Sequence, residues 1–448
     1  MNSHRRVLVF VISSTTLLLL VSFLSEIFHF KSSSSLNNIN LIADILKKDS
    51  AVISDTSGNT PGIEIAEKAH EDFMLYRKGH FITDFNTDTS HPSLTGFLKK
   101  LYELKNGKKR KVRIAYFGDS MIEGDLLTQT LRKLLQQAFG GNGVGFVPIT
   151  SQVSQFRQTV TDIYSDGWED ENFKSGNSNH LFFSGHLFHT SSAYVQMTDQ
   201  TITDSTAIIE KSILCGFVPK PIGISVNNKS FTLNAGKTFN RIALNNDRNT
   251  GIRLTVTNDQ LPVYGISFES ASGIMIDNFS FRGITGIEWG RVDSSFLEAI
   301  EENNPYDLIV FQYGVNLLFR PNDKNFSWYA KSMLPVVKKF RNCFKETEFL
   351  LVSTADRAFR YGTQYKSAIG IDSLIKVQAA LAFETNSSFY NLFETMGGTN
   401  SIVDWANRKP SLANKDYVHP NHKGAEVLAN LFFESIMKDY EKYVQSLK

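Results

Sequence analysis

Short apolar runs alternate with helical periodicity along much of this chain, and that alternation constrains its fold more than any other feature. After Ser270, the segments Ile274 to Phe281, Asp307 to Tyr313, Glu348 to Thr354 and Ser387 to Phe393 read as strands. Helical spacing fills the intervals at Ser294 to Asn303, Trp328 to Phe344 and Asp372 to Thr385. A closing helix is expected from about Asn421 to Gln445, with Val427, Leu428, Leu431, Phe432 and Ile436 as its apolar stripe. Parallel neighbours need a crossover, so this order implies an α/β fold: a parallel sheet sandwiched by helices. The same pattern opens earlier. His91 to Lys105 reads as a helix, Val112 to Tyr116 as a strand, and Glu123 to Phe139 as a helix stopped by Gly140-Gly141. The glycine-rich Asn142 to Pro148 reads as a loop.

From about Phe146 to Ser270 helical periodicity disappears. Short alternating runs such as Ile252 to Thr257 are bounded by Asn, Asp and Gly, and Ser230 to Phe239 reads as a hairpin. Regularly spaced short strands over roughly 120 residues imply a β-sandwich inserted into the α/β unit. The expected organisation is an N-terminal membrane segment at 1–30, a linker and short helix at 31–90, the α/β domain at 91–145 and 271–448, and the inserted sandwich at 146–270.

Within this frame, Gly118-Asp119-Ser120 sits between a strand and a helix. A Ser there is exposed, and a following helix N-terminus favours an anion beside it. Near the C-terminus stands Asp416-Tyr417-Val418-His419-Pro420. At that spacing the carboxylate can reach back to the imidazole Nδ1–H, leaving Nε2 as a base. Two further glycine- or asparagine-bearing segments, Gly283-Ile284-Thr285-Gly286 and Gly314-Val315-Asn316, also follow expected strands. Ser120, Gly286 and Asn316 each follow an expected strand and therefore gather at the carboxyl edge of the sheet, where such sheets bind ligands.

In this order the four segments resemble the sequence blocks of the SGNH (GDSL-type) hydrolase superfamily. The resemblance implies Ser120 as nucleophile, Asp416 and His419 as its partners, and an oxyanion hole from the Ser120 N–H, the Gly286 N–H and the Asn316 side chain. Gly283 is a rival to Gly286. The third block of the family often continues with Asp, and here Leu317 follows Asn316. The region from about 94 to 440, with its insert between the first two blocks, resembles the bacterial peptidoglycan O-acetylesterases. That resemblance implies a carbohydrate-binding-module-like insert and removal of O-acetyl groups from a glycan. The alternative is a polysaccharide O-acetyltransferase that uses the same triad with a membrane partner as acetyl donor. The insert would touch glycan through aromatics such as Trp168 or Tyr194, or serve as a lid or spacer.

The N-terminus bears on location. His4-Arg5-Arg6 precedes Val7 to Leu24, a run of 18 residues interrupted only by Ser and Thr. It fits an export signal or a single span with its N-terminus inside. No small-x-small cleavage site follows, which favours an uncleaved signal-anchor. The expectation is a periplasmic or otherwise extracytoplasmic protein tethered to the inner membrane. A net charge of +2 argues against nucleic acid as partner. Cys215 and Cys343 are the two cysteines and read as unrelated buried thiols. No His/Cys cluster has metal-ligand spacing, and the chemistry implied needs no cofactor. Of the remaining candidates, Asp119 reads as a turn-shaping residue and His422 as a surface residue of the closing helix.

Overall fold

The computed structural model describes residues 73–88, 90–176 and 178–448. The expected anchor, the linker and most of the stretch expected to hold a short helix lie outside the described residues. What is seen of that helix is a single 3-10 turn, Phe73–Arg77.

The central sheet has six strands: β1 Ile82–Thr83, β2 Lys111–Gly118, β3 Gly273–Ser280, β4 Leu308–Gln312, β5 Glu348–Val352 and β6 Ser388–Tyr390. Their spatial order is β1-β6-β5-β4-β2-β3. All pairings are parallel except β1 with β6, a two-residue antiparallel edge that hydropathy does not reveal. The longer helices are α1 Thr95–Lys105, α2 Leu126–Phe139, α3 Ser294–Asn303, α4 Ser327–Cys343, α5 Ile371–Glu384 and α6 His422–Ser446, with two short ones, Leu392–Met396 and Ser401–Asn407, ahead of α6.

Alternate residues of β2 explain the layers. Val112, Ile114 and Tyr116 share a core with Phe97, Leu101, Leu131 and Phe432, from α1, α2 and α6. Ala115 and Phe117 point the other way, into a core with Phe296, Phe340 and Leu374 from α3, α4 and α5. Both faces are covered, so every residue of β4 is buried, as continuous apolar runs in parallel sheets require. Omitting the edge strand, the order places β2 between β3 and β4. The chain leaves β2 in one direction and returns on the other side, which opens a crevice at the carboxyl ends of β2 and β4.

Between β2 and β3 the chain builds the two antiparallel sheets of the inserted sandwich. One contains Val160–Tyr164, Ala193–Asp199, Ile222–Val226, Lys229–Leu233 and Gly251–Val256. The other contains Glu169–Asn172, His186–His189, Ile209–Gly216, Phe239–Asp247 and Val263–Ser270. Gly251–Val256 alternates half-buried and buried residues, as a strand with one face on a core should. The sandwich joins the α/β unit through rings: Phe182 meets Phe279 of β3 edge-on at 5.4 Å, and Tyr264 meets Phe296 of α3 at 5.7 Å. Cys215 and Cys343 are free and buried. Among the described residues no helix is long and apolar enough to cross a membrane.

Four local expectations need correction. Gly145–Pro148 is a strand, not a loop, and pairs antiparallel with Gly265–Phe268. Its glycine serves close approach: a Cβ on Gly145 would stand 2.9 Å from the Ile276 carbonyl oxygen. The hairpin lies at Ile222–Leu233, turning on Asn227 and Asn228 with φ of 50° and 63°, and Phe239–Asp247 belongs to the other sheet. Asn-Asn fills a two-residue turn that Asn-Gly would have advertised. The helix expected from Glu123 begins at Leu126, after a 3-10 turn in which Gly124 and Asp125 are left-handed. The helix expected from His91 begins at Thr95, since Leu94 is left-handed at φ 55°.

Candidate active site

Ser120 follows β2 by two residues, at the crevice between β2 and β4. Its Oγ lies 2.8 Å from His419 Nε2. His419 Nδ1 lies 2.7 Å from Asp416 Oδ2. The second carboxylate oxygen, Oδ1, accepts the backbone N–H of Val418 at 3.0 Å and of His419 at 3.1 Å. Burial alone would raise the Asp416 carboxyl. The hydrogen bonds from the His419 ring and these two N–H groups outweigh it and hold the group below the usual carboxylate range.

The four-residue span from Asp416 to His419 curls because Tyr417 is left-handed at φ 55°. Tyr417 is held from both sides, by its carbonyl accepting from Ala358 N at 3.0 Å and by its ring packing 4.2 Å from Tyr365. Immediately afterwards Asn421 caps α6, its side chain accepting from Lys423 N and Gly424 N. The cap fixes where the His419 loop ends.

The block after β3 is a tight turn. Gly283 and Gly286 are both left-handed, with φ of 82° and 92°. Thr285 N donates to Glu288 Oε2 at 3.0 Å, and Tyr329 Oη donates to the Thr285 carbonyl at 3.0 Å. The two glycines differ in surroundings. A Cβ on Gly286 would lie 2.7 Å from the Tyr313 ring, whereas on Gly283 the nearest atom is the flexible Lys174 Nζ at 3.3 Å. Gly283 lines the open cleft with Ser120 and His419, and Gly286 lies deeper against Tyr313. Gly286→Ala is therefore expected to lower stability by about 2 kcal/mol or more, from the contact and the left-handed backbone together, and to depress turnover. Gly283→Ala should cost about 1 kcal/mol, from backbone alone. Urea midpoints and turnover of the two variants check this. A silent Gly286→Ala with an inactive Gly283→Ala would exchange their roles.

Asn316 follows β4. Its Nδ2 donates to the Ile284 carbonyl at 2.9 Å and to Asp119 Oδ2 at 3.1 Å. Asp119 also accepts Met121 N through Oδ1 at 3.0 Å. It thus shapes the turn as expected and, in addition, holds the plane of the Asn316 amide. Burial, reinforced by the charges of Glu123 and Glu288, lifts its carboxyl to about 7 against the pull of that N–H. Leu317, where the family often has Asp, is buried in the core beside α4, and its N–H closes a turn on Gly314.

Several features were not legible in the sequence. Arg282 forks onto Glu123, with Nε 2.9 Å and Nη2 2.7 Å from Oε2, at the rim of the cleft. Arg357 Nη1 donates to the Val315 carbonyl at 2.7 Å, pinning the Asn316 turn. These contacts join segments far apart in the chain and have no local spacing signal. His422 is half-buried rather than a surface residue, because its ring packs 4.6 Å from Phe156. Trp168 and Tyr194 are likewise half-buried. Trp168 Nε1 donates to the Tyr194 carbonyl at 3.1 Å, and the Arg253 guanidinium sits 3.6 Å over the Tyr194 ring.

Comparison with known proteins agrees with this architecture. No protein-family model matches the chain. No curated protein matches it either. Among solved structures, a peptidoglycan O-acetylesterase superposes with a TM-score of 0.67 at 21% identity, over 77% of this chain and 96% of the other. A family two carbohydrate esterase from Cellvibrio japonicus covers 63% of this chain and 99% of its own at 9% identity, with a TM-score of 0.26. A lipase/acylhydrolase from Enterococcus faecalis covers 37% and 77% at 14% identity, also with a TM-score of 0.26. These two overlaps are too poor to add to the assignment. With its β2/β4 crevice, its block order and the sandwich between its first two blocks, the chain has the SGNH (GDSL-type) hydrolase fold.

Proposed function

We propose that the protein is a serine esterase that removes O-acetyl groups from a cell-envelope glycan, peptidoglycan first among them. The observation that carries this reading is the hydrogen-bonded series Ser120–His419–Asp416 at the switch point of the sheet. His419, oriented by Asp416, takes the Ser120 proton as Oγ attacks the acetyl carbonyl. The oxyanion is held by the N–H groups of Ser120 and Gly286 and by the Asn316 amide. Each such donor is worth about 10²–10³ in turnover. For Asn316 to serve, one of its two N–H bonds must turn from Asp119 or Ile284 to the oxyanion. His419 then protonates the sugar oxygen as it leaves. Water, activated by the same imidazole, releases acetate and restores Ser120.

The triad is open: the Asp416 side chain is 46% exposed and that of His419 is 32% exposed. Water reaches an acyl-enzyme in such a site, as hydrolysis requires. The overlap with a peptidoglycan O-acetylesterase along 96% of that chain supports the choice of polymer. The basic residues and apolar run at the N-terminus support a location outside the cytoplasm, tethered to the inner membrane.

Acetate release from O-acetylated peptidoglycan by the full chain tests the reading. Free acetate is the expected product. Acetate appearing on a glycan hydroxyl instead would make the protein a transferase. Absence of both, together with no cleavage of p-nitrophenyl acetate, would remove the esterase assignment.

A further inference from the structure

Beside the Ser120 cleft lies a second one, of about 270 Å³, between the α/β unit and the sandwich. The two share Glu123, Val153, Lys174 and Arg282 along their walls, so one groove passes from the nucleophile to the sandwich. The wall of the second cleft carries polar atoms that the protein does not use. Arg157 Nη2 and Ser184 Oγ are both buried without a hydrogen-bond partner. A buried polar atom left without a partner is costly, so two on one cavity wall call for a ligand.

The signs of the charges identify its chemistry. The acids of the wall are already engaged: Glu123 with Arg282, Asp170 with His186 at 2.7 Å, and Asp125 with Arg132 at 2.7 Å. Arg132 lies behind the wall, so its charge cancels that of Asp125. The cations are less well served. Arg157 spends its Nε on Thr159, and its Nη2 is 3.6 Å from the already paired Asp125, too far for a hydrogen bond. Lys174 is exposed, and its ammonium rests 5.5 Å from the centre of the Phe281 ring. The surplus is of donors and of positive charge.

We propose that this second cleft binds a carboxylate carried by the glycan, placed there when the acetylated hydroxyl reaches Ser120. Lys174 and Arg157 meet the carboxylate, and Ser184 completes its hydrogen bonds. The inference deepens the esterase reading and rests on it for the identity of the ligand. The aromatics Trp168 and Tyr194 play no part in it.

The test is a binding titration, which does not require turnover. The probe is the disaccharide of N-acetylglucosamine and N-acetylmuramic acid with its lactyl carboxylate free, compared with its lactyl amide. Full-length Ser120→Ala protein is expected to bind the carboxylate form about tenfold more tightly, as one charge-assisted hydrogen bond would give. Lys174→Gln, whose side chain is exposed and whose fold is not at stake, should erase most of that preference, and Ser184→Ala should reduce it. Equal binding of the two probes, or a preference untouched in both variants, overturns the proposal. A wild-type protein that fails to cleave p-nitrophenyl acetate yet keeps the preference would remove the esterase reading and leave this one standing.

Discussion

Ser120→Ala is expected to lower the turnover of p-nitrophenyl acetate by a factor on the order of 10⁴ or more, and His419→Ala to lower it by nearly as much. In the proposed mechanism Oγ and Nε2, 2.8 Å apart, act as one unit. Without the hydroxyl no acyl-enzyme forms, and without the imidazole the hydroxyl keeps its proton. The double variant should therefore be no more than a few-fold slower than either single one. What activity survives comes from the oxyanion donors and from binding alone. Steady-state turnover of the three variants decides the matter. Losses that multiply would mean that Ser120 and His419 contribute separately. Asp416→Asn should be intermediate: its loss frees the Nδ1 tautomer, but the backbone curl at Tyr417 still delivers the ring to Ser120.

Legibility in the sequence followed physical range. The strands of the central sheet are apolar on both faces, so β2 and β4 stood out as runs, and α2 to α6 carried stripes wide enough to locate. Asp416 and His419 were legible because the carboxylate and the imidazole are three residues apart and need only one local curl. The features missed are those set by tertiary contact. The edge strand β1 is too short for any pattern. Gly145–Pro148 resembled a loop because glycine signals both freedom and close approach, and only the partner at Gly265–Phe268 separates the two. The break at Gly124-Asp125 was invisible because the apolar stripe of Leu127, Leu131 and Leu135 begins only beyond it and does not mark where the helix starts. Asp125 departs from the helix because its carboxylate has partners elsewhere in the molecule.

Those partners make Asp125→Asn the substitution expected to cost the most stability. The carboxylate is buried at the junction of the two domains. Arg132 of α2 binds it through Nη1 at 2.7 Å and Nη2 at 2.9 Å. Thr128 donates to it from α2, and Thr159 donates from the start of the sandwich at 2.7 Å. Burial alone would raise this carboxyl, but the charges of Arg132 and Arg157 overcome it and draw the group down to about 2. Asparagine preserves the shape and removes the charge, leaving Arg132, itself 1% exposed, without a counter-ion. Breaking one side of a buried pair costs about 3–5 kcal/mol. The urea midpoint should fall accordingly at pH 7 with an unchanged slope. The pH dependence carries the same signature. A carboxyl near 3.8 when unfolded and about 2 when folded stabilises the protein above pH 4, and that contribution is lost as pH falls toward 2. The loss amounts to about 2–3 kcal/mol, and Asp125→Asn should not show it. Replacing both partners, as Asp125→Leu with Arg132→Met, should recover part of the stability, because the Arg132 charge is removed with its counter-ion, while Arg157, which also faces Asp125, keeps its own. If the single variant is as stable as the wild type, the Asp125 carboxylate does not hold the sandwich to the α/β unit through Thr159, and the left-handed turn before α2 must be fixed by Gly124 and the packing of Phe156 alone.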